Sequence, residues 1–258
     1  MNEGVPTYEI TPFGFPSSCY AVFVFVLNEG ERIRRQIEKM KCYANTIDIY
    51  IVDGGSEDGS LDHKWISDCG VRGLLVKIGP GKLSAQMRIA ISWAMGNGYK
   101  GIICMDGNDK DDPSALPLFV EKLAIGYDHV QGSRFVVGGR AVNTPIMRYW
   151  GVRAIHAPII SLAAGFHYTD TTNGFRAYSM NFLRDPEVAP FRDVFQSYEL
   201  HYYLAIRAVR LGYHVCEIPV ARIYPVGSFV PTKINGLMAN LQIFKTLVNV
   251  CMGKFDPS

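Results

Sequence analysis

Residues 21–27 (AVFVFVL) form an unbroken apolar run rich in β-branched and aromatic side chains, the pattern of a strand covered on both faces. Asn28-Glu29-Gly30 ends it. Ile33, Ile37 and Met40 then recur at helical spacing, with Arg32, Arg34, Arg35, Lys39 and Lys41 on the other side. Residues 47–52 (IDIYIV) predict a second strand, ending at Asp53 in the turn-rich GGSEDGS. Residues 74–78 (LLVKI) predict a third, broken by Gly79-Pro80-Gly81, and Leu83, Met87, Ala90 and Ile91 mark the helix after it. Residues 101–105 (GIICM) predict a fourth strand, ending at Asp106. Asp112 as N-cap and Pro113 as first helical residue then open a helix bearing Leu116, Phe119, Val120 and Leu123.

Strand and helix thus alternate through the first half, which predicts an α/β fold with a mostly parallel central sheet flanked by helices. In such sheets ligands bind beyond the carboxyl ends of the strands. Those ends hold Asn28-Glu29, Asp53 and Asp106, so the three polar clusters should open onto one edge. The second half is less regular. Residues 129–131 predict a short strand before Gly132-Ser133-Arg134, and residues 145–164 a helix interrupted at Pro158. Residues 198–211 predict a helix, 213–218 a strand, and 234–252 a last helix with Leu237, Leu241, Phe244, Val248 and Cys251 on one stripe. We therefore expect an N-terminal arm (1–19), a catalytic domain (20–233) and a C-terminal helix (234–258) that packs on the domain or lies at a membrane interface.

Composition narrows the function. A net charge of +2, from 26 basic and 24 acidic residues, argues against a nucleic-acid partner. The six cysteines form no CxxC pair and read as reduced thiols of a cytoplasmic protein. The polar stretch 1–18 does not read as a secretory signal, and the 20–27 run is too short to cross a bilayer. The expectation is a cytoplasmic chain, compatible with peripheral contact at the cytoplasmic membrane face and with a homo-oligomeric state.

Chemistry concentrates at the strand ends. Asp106, Asn108 and Asp109 follow a buried strand directly, where hard oxygen ligands can hold Mg²⁺ or Mn²⁺ against a diphosphate; a polar turn capping the next helix is the alternative reading. Asp53, between a strand and two glycines, can accept hydrogen bonds from a base or ribose, or simply close its own turn. Arg134, Arg148, Arg176, Arg222 and Lys233 supply cations suited to phosphate oxygens. Asp170 and Glu199 are candidate general bases.

These landmarks resemble family 2 glycosyltransferases, in the branch of dolichyl- and polyprenyl-phosphate sugar synthases. The resemblance runs from about residue 22 to 233 through LNEG (27–30), IVDGGSEDGS (51–60), CMDGNDKDDP (104–113), QGSRFVVGG (131–139), TDTTNGFRAYS (169–179) and GYHVCEIPV (212–220). It implies a GT-A (nucleotide-diphospho-sugar transferase) fold and inverting transfer from a nucleoside-diphosphate sugar, GDP- or UDP-linked. It further implies that Asn28, Glu29 and Asp53 contact the nucleotide and that Asp106 is the first acid of an Asp-x-Asp metal motif. Arg134, Arg148 and Arg222 match phosphate-holding positions of the lipid-phosphate branch, and Asp170 and Arg176 fall in an acceptor-side segment. Two positions depart from the pattern. Asn108 stands for the second acid, so Asp109 is a candidate to supply the missing charge, and Gly54 replaces a common second aspartate.

The acceptor is then a lipid phosphate, which is already anionic and needs no base, or a sugar hydroxyl in capsule, lipopolysaccharide or other glycan assembly, which would need Asp170 or Glu199. A non-catalytic sugar-nucleotide binding module is the third reading. A nucleotidyltransferase is disfavoured because no Gly-rich basic loop follows the first strand.

Overall fold

A computed structural model describes residues 3–226 and 237–257 of the chain. Among them the strands are β1 (Tyr8–Pro12), β2 (Tyr20–Val26), β3 (Asp48–Asp53), β4 (Val71–Lys77), β5 (Gly101–Asp106), β6 (His129–Ser133), β7 (Arg140–Val142), β8 (Arg176–Ser179), β9 (Val215–Pro219) and β10 (Ala221–Ile223). The helices are α1 (Glu31–Met40), α2 (His63–Asp68), α3 (Leu83–Gly96), α4 (Leu116–Ala124), α5 (Ile146–Gly151), α6 (Ala157–Ala164), α7 (Met180–Arg184), α8 (Glu199–Arg210) and α9 (Leu237–Cys251). The main sheet has the order β1-β4-β3-β2-β5-β8-β6-β9, and β7 pairs with β10 in a small second sheet.

The central strands β4, β3, β2 and β5 run parallel, as their apolar runs predict. Alternate side chains of each strand supply two cores. Phe23, Tyr50 and Cys104 pack on one face with residues of α3 and α8; Val24, Ile51 and Ile103 pack on the other with residues of α1 and α4. A strand buried on both faces has no polar alternation, which is why these segments read as continuous hydrophobic stretches.

Three elements differ from expectation. The N-terminal arm contains β1, which pairs antiparallel with β4 and closes that side of the sheet. The four-residue β8 enters antiparallel between β5 and β6 and reverses the sheet's direction next to Asp106. The interruption expected at Pro158 takes the form of a π-helical turn, Val152–His156, joining α5 to α6. Proline has no N–H to donate, and the looser turn accommodates that loss. Within α9, Leu247 and Val250 are buried in the core and the helix packs on α6 and α8; the start of the stripe expected on 234–252 lies outside the described residues.

Candidate active site

The register of the central strands sets Asp53 opposite Val26 and Asp106 opposite Phe25, so the three polar strand ends do share one edge. Gln86 of α3 ties two of those ends together, donating to the carbonyls of Val26 (3.0 Å) and Val52 (2.8 Å). Beyond β2, Asn28 adopts a left-handed backbone (φ 52°) and its Oδ1 accepts the Glu57 N–H at 2.9 Å. Asp53 accepts the Ser56 N–H (2.9 Å) and hydroxyl (2.6 Å) and is buried. Glu29 is buried and pairs with Arg32 at 2.8 Å. Asn28 and Asp53 therefore brace a shared turn in which Gly54 packs against β2, its N–H on the Val26 carbonyl at 2.8 Å, and Gly55 is exposed.

Asp106 stands at the centre of an ionic network. Its Oδ2 accepts from Arg222 Nη2 (3.1 Å) and from Asn108 Nδ2 (3.4 Å). A Cβ built on Gly174 would meet Asp106 Oδ1 at 2.8 Å, so only glycine leaves that oxygen its place. The other donor of Arg222 binds Asp111, a wholly buried carboxylate whose Oδ1 has no partner among the described residues. Burial alone would lower the Arg222 pKa; Asp111 and Asp106 outweigh it and hold it well above the usual arginine value. Asp106 and the Asn108 side-chain carbonyl, which also accepts the Lys110 N–H at 3.3 Å, are the hard oxygens at this point of the network. That set fits a divalent cation that keeps most of its ligands from waters and substrate. Among the described residues no cluster of three His, Cys, Asp or Glu is placed to enclose a metal by itself.

Asp109 does not join that set. Its backbone is left-handed (φ 57°), and its oxygens are taken by Arg35 Nε (3.0 Å) and Lys39 Nζ (2.6 Å) of α1. The expected supplementary metal ligand is instead a clamp between the 106–112 segment and α1, reinforced by its N–H on Gln36 at 2.7 Å.

The expected phosphate cations separate into two groups. Arg134 is buried and committed: Nε donates to Asp170 Oδ2 (2.6 Å), Nη2 to Asp170 Oδ1 (2.9 Å) and to Thr172 Oγ1 (2.9 Å). Asp170, 0% exposed and held by that fork, is correspondingly a partner of Arg134 and not a base open to a substrate. Arg176 is also buried, and its donors go to the carbonyls of Asn173 (2.8 Å), His201 (2.6 Å) and Thr171 (2.6 Å). It is a strut that ties the 169–176 loop to α8, not a ligand cation. Arg148 and Arg222, by contrast, meet at Tyr224. Arg148 Nη1 donates to its hydroxyl at 3.0 Å, and the Arg222 guanidinium lies 6.0 Å from its ring centre. Lys233 lies outside the described residues.

Sequence reasoning missed two members of this second group. Lys110 places its ammonium 5.1 Å from the Tyr224 ring centre. It is buried, and no carboxylate or carbonyl accepts from its side chain among the described residues. Burial and the neighbouring Arg222 push its pKa down. Burial pushes the Tyr224 hydroxyl up, yet Arg222 and Arg148 outweigh it and the net shift is downward, a direct sign of a positive local field. The signal in the sequence is a lone cation inside an acidic run, MDGNDKDDP, directly after a buried strand.

The fold is the GT-A fold, and the chain is a glycosyltransferase. It belongs to glycosyl transferase family 2, whose model matches residues 21–186. It is similar to an undecaprenyl-phosphate mannosyltransferase of Micrococcus luteus, 28% identical over 75% of this chain and 79% of that protein. It is also similar to the polyprenol monophosphomannose synthase of Mycolicibacterium smegmatis, 26% identical over 93% of this chain and 90% of the relative. Among solved structures, glucosyl-3-phosphoglycerate synthase from Mycobacterium tuberculosis, in complex with Mn²⁺, UDP and phosphoglyceric acid, superposes with a TM-score of 0.62. It is 18% identical, covering 90% of this chain and 78% of that one.

Proposed function

We propose that the chain transfers a sugar from a nucleoside-diphosphate sugar, GDP- or UDP-linked, to a polyprenyl-phosphate-type lipid acceptor with inversion. The observation that carries this reading is the contrast between the two carboxylate–cation groups. Asp170, the first base a hydroxyl acceptor would require, is sealed on Arg134, and Glu199 accepts the Ser197 N–H at the start of α8. Beside Asp106 stand Lys110, Arg148 and Arg222, a surplus of positive charge that suits substrates which are already anionic. The named activities of the bacterial relatives, both acting with polyprenyl-type phosphates, support the same acceptor.

In this reading Asn28 and the turn closed by Asp53 receive the nucleotide, and Asp106 with Asn108 holds a Mg²⁺ or Mn²⁺ ion. That ion, when bound, supplies Lewis-acid charge to the departing diphosphate. Arg222 and Lys110 add fixed charge on the same side, and Arg148 orients the acceptor phosphate with the Tyr224 hydroxyl. An acceptor phosphate oxygen attacks the anomeric carbon as the bond to the diphosphate oxygen breaks. No proton needs to be removed, so positioning and electrostatics supply the rate enhancement. The Arg134–Asp170 and Arg176 struts keep the acceptor-side loop in place.

The test is a panel of GDP- and UDP-sugars with undecaprenyl phosphate and Mg²⁺ or Mn²⁺, scored by mass spectrometry of the lipid product. Transfer from one donor class to the lipid phosphate is expected. Transfer only to free sugar hydroxyls, with the lipid untouched, would overturn the reading.

Lys110 gives a separate prediction. Lys110→Met should weaken nucleoside-diphosphate binding about tenfold or more, the scale of one charge-assisted hydrogen bond, in titration calorimetry with chelator present. Its thermal midpoint should change little, because the substitution breaks no hydrogen bond of the Lys110 side chain. Unchanged affinity would remove Lys110 from the site.

A further inference from the structure

The helical segment bearing Arg148 turns an apolar stripe to solvent. Met147, Trp150, Ile155 and Leu162 are 84, 57, 52 and 89% exposed. Ala154 and Pro158, between them, are exposed as well. Positions 147, 150, 154, 155, 158 and 162 follow the three-and-four spacing of a single helix face, continued through α5, the π-helical turn and α6. Packing uses other positions: Val152, Ala157, Ile160 and Ala164 are buried, and Ile160 and Ala164 join the core with residues of α8.

The charge of the same segment is one-sided. Residues 135–169 contain Arg140, Arg148, Arg153, His156 and His167 but no Asp or Glu. At the chain's average of 24 acids in 258 residues, a stretch of 35 would hold about three. Arg140 and Arg153 are exposed. An apolar stripe flanked by arginines, with a tryptophan half in solvent, matches the chemistry of an anionic bilayer surface, where the ring and methyl groups enter the interface and the guanidinium groups meet lipid phosphates. The segment is also continuous with the site, because Arg148 reaches the Tyr224 hydroxyl from the same helix.

We propose that the α5–α6 face docks the enzyme on an anionic membrane, so that the acceptor phosphate is delivered at Arg148. The proposal rests on the lipid-phosphate reading for its purpose, and on the exposed stripe and the acid-free segment for its location. It assigns membrane contact to residues 146–162; for the C-terminal helix the sequence left packing on the domain or a membrane interface open, and its Leu247 and Val250 are buried in the core.

Flotation of the full chain with vesicles tests it. The wild type should float with phosphatidylglycerol-containing vesicles, less with phosphatidylcholine alone, and less as salt rises. The Met147→Gln/Leu162→Gln double variant should partition about tenfold more weakly, since two large apolar side chains no longer leave water. Arg153→Glu should lose the preference for anionic lipid while the stripe remains. Both variants alter exposed side chains, and equal thermal midpoints verify the fold. Equal flotation of wild type and double variant would overturn the proposal. So would self-association of the wild type that the double variant abolishes, because a second copy would then be the occupant. Turnover on a short, water-soluble prenyl phosphate separates this idea from the acceptor reading, since the double variant should match the wild type there. If no prenyl phosphate is used while flotation follows the stripe, the acceptor reading fails and the docking surface stands.

Discussion

Asp106→Ala is expected to lower turnover by about a thousandfold, roughly 4 kcal/mol of lost transition-state stabilisation. Its thermal midpoint should change little. The side chain is partly exposed, and Arg222 keeps its second and more buried partner, Asp111, when Asp106 is removed. The effect should fall on the chemical step and on metal-dependent donor binding together. Wild-type donor affinity should drop when the divalent ion is chelated, and the variant should show that low affinity with or without chelator. Asp106→Asn separates charge from geometry. It preserves a ligand oxygen and the contact with Gly174, so a loss nearly as large as that of alanine would locate the effect in the negative charge. A variant within about tenfold of wild-type turnover would show that Asp106 serves only to hold Arg222.

The edge on which Asp106 sits was legible because its determinants are local. Each central strand is a short apolar run, each ends in a polar residue, and the rule for parallel sheets places all those ends together. β1 escaped notice because YEITP has one strongly apolar residue and lies among prolines; only its pairing with β4 makes it a strand. β8 was hidden because RAYS is four residues inside a segment read for its motif. The identity of the ionic partners was illegible for a different reason. Arg134 and Asp170 are 36 residues apart, and Arg222 and Asp111 are 111 apart, so no spacing rule connects them. The same residue types could equally have bound a ligand. What distinguishes Lys110 from Arg134, Arg176 and Arg222 is whether the protein itself satisfies its donors, and that is a property of the folded chain.

That distinction makes Arg134 and Asp170 the place where structural and catalytic roles part most clearly. Arg134→Met leaves Asp170 fully buried with only long residual hydrogen bonds, from the residue-134 N–H at 3.2 Å, the Thr172 N–H at 3.3 Å and the Thr172 hydroxyl at 3.4 Å. Removing one partner of a buried pair costs about 3–5 kcal/mol, a large part of the stability of a domain. Asp170→Asn should be costly for the same reason, since it strands a guanidinium. The Arg134→Met/Asp170→Asn pair should cost less than the sum of the two, with a coupling energy of about 2 kcal/mol in urea denaturation, because neither charge is then left alone. The catalytic alternative makes the opposite forecast. If Asp170 removed a proton from a sugar hydroxyl, Asp170→Asn would stay folded and lose turnover, and pairing it with Arg134→Met would restore nothing. Measured at a temperature where each variant is folded, Asp170→Asn should therefore retain activity toward the lipid phosphate within about tenfold, as expected of a group that positions a loop and moves no proton.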